Sequence, residues 1–123
     1  MKSQWVMTAS AVLLAVAGLA ATFAPAEVLA RAGITATAAL VVAAQVTGAL
    51  YLGFAMTNWM ARQSTVGGIY NRPLAIGNFT HCFVGGMALL KAGFWIVGGV
   101  YALLALAFGA LLFGGAKPAL HSR

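Results

Sequence analysis

The chain has 123 residues, 63% of them hydrophobic and 7% charged, against roughly 25% charged in an average soluble domain. Seven Lys and Arg oppose the single acid Glu27 for a net charge of +6, but the cations stand singly at the ends of apolar runs, which excludes nucleic-acid recognition. One carboxylate, two histidines and one cysteine leave no carboxylate pair, metal quartet or internal disulfide.

Four segments are long enough to cross a hydrocarbon core, which takes about 20 apolar residues as helix. The first, about 5–24, follows Lys2. Its Ala24-Pro25-Ala26 mimics a cleavage site, but the apolar stretch exceeds the roughly 7–15 residues of a signal-peptide core, so it reads as a span. Pro25 to Gly33 reads as a short interfacial helix: Pro25 suits a first turn, Glu27 and Arg31 are spaced i,i+4, and Gly33 ends it. The second span, about 37–60, lies in an apolar run over 34–61 that is longer than a bilayer needs, which implies tilt or projection. The third, about 74–90, is the shortest and most polar, and the fourth covers about 94–114. Only Lys91, Ala92 and Gly93 separate these two, so they form a tight antiparallel hairpin. The expected fold is all-α: one transmembrane domain over 1–123, an integral membrane four-helix bundle, with a connecting loop over 61–73.

An even number of spans puts both termini on one side, and the positive-inside rule selects it. With the N-terminus inside, Lys2, Arg62, Arg72, Lys117 and Arg123 are cytoplasmic and Arg31 and Lys91 are outside. The expected topology is therefore N-in/C-in in a bacterial inner membrane. Trp5 and Trp59 mark the inner boundary and Trp95 the outer one, as aromatic belts do.

Small residues provide surfaces for close helix packing in lipid: Ala17 and Ala21, Gly48 with Gly53, Gly85 and Gly86, Gly98 and Gly99. Gln45 is the one strong polar side chain deep in the second span. It is expected to be buried, either bonding a Thr or a backbone carbonyl of a neighbouring helix or lining a ligand cavity.

The concentration of chemistry lies where the second span ends and the third begins. Asn58, Trp59, Arg62, Tyr70, Asn71, Arg72, Asn78 and His81 fall within 25 residues of one another. Asn78, His81 and Cys82 are spaced i, i+3, i+4 and share a helical face, with His81 a turn inside the span. Gly67 and Gly68 allow a shaped loop, and Pro73 disfavours helix at Arg72. The expectation is a polar pocket at the inner membrane face that binds an anionic headgroup, a quinone ring or a segment of a partner protein. The same residues have plainer readings, with Arg62 and Arg72 as topology anchors, His81 as a hydrogen-bonded packing residue and Cys82 as an inert thiol.

Residue supply removes several functions. No span holds the carboxylate that proton-coupled multidrug exporters use, one intramembrane histidine cannot form a bis-histidine haem site alone, and the Gly-rich motif and balanced charge of dual-topology fluoride channels are missing. His81 and Cys82 are adjacent, so on a helix they diverge by about 100° and make no nucleophile–base pair.

The stretch Gly48 to Leu90, through Asn58-Trp59-Met60-Ala61, Gly67-Gly68-Ile69-Tyr70-Asn71-Arg72-Pro73 and Gly77-Asn78-Phe79-Thr80-His81, resembles a group of small bacterial inner-membrane proteins with no assigned activity. In size and layout the chain also resembles the DoxX-like proteins. Some of those are subunits of quinone-linked or redox membrane complexes, and the resemblance carries no catalytic residue over. The functional expectation is a non-catalytic accessory or assembly subunit, or a lipid or quinone binder, that requires no cofactor. Its partners are membrane lipids and another membrane subunit or a second copy. The alternatives are an oligomeric small transporter or channel lined by Gln45, and, with less support, a redox or isomerase enzyme using His81 with Tyr70.

Overall fold

The computed structural model describes residues 3–63 and 71–114. These fold as α1 (Ser3–Phe23), α2 (Pro25–Arg31), α3 (Ala38–Ala61), α4 (Arg72–Lys91) and α5 (Trp95–Phe113). All but α2 are long and apolar enough to cross a membrane. The described residues are thus all-helical, as a chain with apolar runs of this length and little polar surface requires.

The short helix α2 starts at a proline in its first turn, where the missing N–H would be unpaired in any case. It ends at Gly33, whose φ is +74°. The Gly33 N–H donates to the Ala30 carbonyl at 3.0 Å and the Ile34 N–H to the Leu29 carbonyl at 2.9 Å, the paired bonds of a Schellman ending. The end of α4 repeats this device. Gly93 has φ +89°, its N–H donates to the Leu90 carbonyl at 3.1 Å, and the Phe94 N–H donates to the Leu89 carbonyl at 2.9 Å. Satisfying the last carbonyls in this way lets the chain reverse within three residues, which makes α4 and α5 antiparallel neighbours.

At its start, α3 is capped by Thr37, whose Oγ1 accepts the Leu40 N–H at 3.3 Å. Its 24 residues are about 36 Å of helix at 1.5 Å per residue, more than a core of roughly 30 Å. The first turn of α4 departs from expectation. Arg72 is helical, not part of a loop reaching 73, and the Ala75 N–H already donates to the Asn71 carbonyl at 2.9 Å. The bias against helix before proline is outweighed here because Pro73, in the first turn, displaces no intrahelical donor.

Contacts group the helices into two units, Met7–Met60 and Ala61–Arg123 with Met1–Val6. In the first unit, α1 buries Met7, Ser10, Ala11, Leu14, Gly18 and Ala21, positions three and four apart that form one face. There α1 and α3 approach backbone to backbone. A methyl placed on Gly18 would lie 2.9 Å from the Gly48 carbonyl oxygen, and one on Gly48 would lie 2.8 Å from that of Gly18. In the second unit, α5 buries Gly98, Tyr101, Leu104, Ala105 and Phe108, and α4 buries Ala75, Asn78, Cys82 and Gly86. Away from the turn, the Phe79 ring stacks on Phe83 at 5.7 Å and meets Phe113 edge-on at 6.0 Å.

Candidate functional site

The residues expected at one membrane face are placed as follows within each unit. Asn58 is fully buried in the first unit, where its amide donates to Ser10 Oγ at 3.0 Å and Ser10 Oγ donates to the Met7 carbonyl at 2.9 Å. This chain of bonds ties α3 to α1 and satisfies polar atoms that would otherwise be costly in an apolar interior. Trp59, the next residue, is 45% exposed. In the second unit, Arg62 is half-buried just beyond α3, Asn71 precedes α4, and Arg72 is exposed on its first turn. Asn78 is fully buried and donates to the Leu74 carbonyl one turn back at 2.9 Å. Tyr70, Gly67 and Gly68 lie outside the described residues.

His81 sits deeper than the spacing suggested. It is the tenth of the 20 residues of α4, so about 14 Å of helix separates it from Arg72 and about 15 Å from Lys91. The two-residue extension of α4 at its N-terminus accounts for part of this depth. Half-buried, His81 places Nε2 3.2 Å from the hydroxyl of Tyr101 on α5, with the rings 5.3 Å apart. Either group can be the donor, according to which ring nitrogen carries the proton.

Tyr101 reaches His81 because α4 has no side chains where the phenol lies. A methyl at Gly85 would come within 3.1 Å of Tyr101 Cε1, and one at Gly86 within 3.2 Å of its Cβ. Sequence reasoning named the glycine pair as a packing surface but missed the tyrosine that fills it. A signal was present: a three-residue turn makes α4 and α5 adjacent, and Tyr101 carries the one hydroxyl in the apolar fourth span. Cys82, beside His81, is 1% exposed on the buried row of α4. Among the described residues no three His, Cys, Asp or Glu side chains come close enough together to hold a metal ion.

Gln45 is exposed, against the expectation of burial. Its amide does reach a backbone carbonyl of a neighbouring helix, that of Thr22, at 3.4 Å. Thr22 is in the last turn of α1, so Gln45 is level with the end of that helix and not deep between helices. The reason is the length of α3, whose first two turns run past the level at which α1 stops.

The class defined by these features is a multi-pass α-helical membrane protein with an imidazole–phenol pair at the middle of its last helical hairpin. No known family model matches the chain, and neither does any curated protein or solved structure.

Proposed function

We propose that the chain is a small multi-pass protein of the bacterial inner membrane, with both termini cytoplasmic. It serves without catalysis as an accessory or assembly subunit, or as a binder that holds a lipid or quinone molecule at the α4–α5 hairpin. The observation that carries this reading is the bond between His81 Nε2 and Tyr101 Oη at 3.2 Å, halfway along a helix long and apolar enough to span a membrane. Ionisable side chains at such depth are costly, are rarely kept for packing alone and mark sites of function by default. The resemblance of the Gly48 to Leu90 stretch to small inner-membrane proteins supports the proposed location.

The test is purification of the full chain in mild detergent, followed by mass spectrometry of whatever stays bound. A specific small molecule or partner subunit is expected, and His81→Ala should release it while helix content by circular dichroism stays unchanged. A chain carrying only bulk lipid, identical in wild type and variant, overturns the proposal.

A further inference from the structure

The residues named for the site fit three kinds of ligand: an anionic headgroup, a ring with carbonyl oxygens, and a peptide segment. Depth and charge decide between them. His81 is the tenth of 20 residues in α4, about 14 Å of helix from the nearer end, which is the middle of a hydrocarbon core of roughly 30 Å. A lipid phosphate resides at headgroup level. The cations of the hairpin also stand away from the pair, since Arg72 is the first residue of α4, Lys91 is the last, and α5 has no charged residue. An anion drawn to His81 and Tyr101 would leave water with no cation of the hairpin beside it. A peptide backbone would bring a row of polar groups into hydrocarbon, whereas between the ends of the hairpin the uncharged polar side chains are few: Asn78, which is fully buried and bonded within its own helix, Thr80, and the His81–Tyr101 pair.

We propose that the molecule held at the His81–Tyr101 pair is an uncharged, lipid-soluble ring compound with carbonyl or hydroxyl oxygens, of the quinone class. This rests on the reading that the pair holds a ligand. A quinone needs no counter-charge, travels within the bilayer and accepts hydrogen bonds through its carbonyl oxygens, while its reduced form donates them. The pair has both kinds of hydrogen-bonding atom. Tyr101 is 8% exposed and His81 half-buried, so the imidazole is the more accessible of the two and the phenol, lying over Gly85 and Gly86, holds it in place.

The experiment equilibrates the full chain in phosphatidylcholine nanodiscs with decyl-benzoquinone or, in parallel, with added phosphatidylglycerol, and measures what each protein retains above empty discs. Expected is saturable quinone binding weakened at least tenfold by His81→Leu and several-fold by Tyr101→Phe, with phosphatidylglycerol retention equal in all three proteins. Tyr101→Phe keeps the ring packed on the glycines and removes one oxygen, so it reports on the bond even if His81→Leu fails to fold. Phosphatidylglycerol retained in place of quinone, and lost in the variants, overturns the quinone assignment while leaving a ligand site at the pair. Binding of both probes that the folded variants leave unchanged overturns the site itself, and with it this inference.

Discussion

At the residue scale, small and polar side chains decide which helix faces can meet. Gly48 illustrates the constraint: a methyl there would lie 2.8 Å from the Gly18 carbonyl oxygen and 2.9 Å from the Thr22 backbone nitrogen. Backbone cannot move aside as a flexible side chain can, so Gly48→Ala should destabilise the first unit by about 1–3 kcal/mol, the usual cost of overpacking. Gly53, five residues on in the same helix, has nothing within 4 Å of an added methyl, and Gly53→Ala should show no loss. Unfolding midpoints in an SDS titration of the micellar protein check both, and equal behaviour of the two variants would refute the close approach. Spacing in the sequence marked Gly48 and Gly53 as one kind of residue. Only the placement of α1 against α3 separates a contact glycine from an exposed one.

At the scale of elements, much was legible. The four spans were expected at about 5–24, 37–60, 74–90 and 94–114, and the helices run Ser3–Phe23, Ala38–Ala61, Arg72–Lys91 and Trp95–Phe113. Length and apolarity fix such elements because a backbone in lipid must satisfy its own polar groups. The short helix α2 and its terminating glycine were legible for a similarly local reason: a residue at positive φ is cheap only without a Cβ. Gly93, at φ +89° with open space around it, gives the clean test. Gly93→Ala should cost about 1–2 kcal/mol from backbone strain alone, read as a lower unfolding midpoint of the hairpin protein, with quinone retention kept once it is folded. The boundary at Arg72 was less legible, since two opposing local rules apply to a residue that precedes proline in a first turn.

For the whole molecule, the seven cations of the sequence divide five to two between the faces on the proposed orientation. This predicts that both termini and the connection after α3 are cytoplasmic. In a Cys82→Ser background, Thr35→Cys should react with an impermeant maleimide in right-side-out inner-membrane vesicles, and Ser122→Cys only after permeabilisation. The reverse pattern would reject N-in/C-in.

By itself the sequence determined the class of protein, the number and approximate extent of its apolar spans and the two glycine-ended turns, because each depends on hydrophobicity or on backbone conformation over a few consecutive residues. Tertiary structure decided the rest. It buried Asn58 against Ser10 and left Gln45 exposed at the level where α1 ends. It also joined His81 to Tyr101, 20 residues away. These outcomes depend on the register and rotation of one helix against another, which are set by the fit of side chains such as Tyr101 over Gly85 and Gly86, and no local pattern along the chain records that fit.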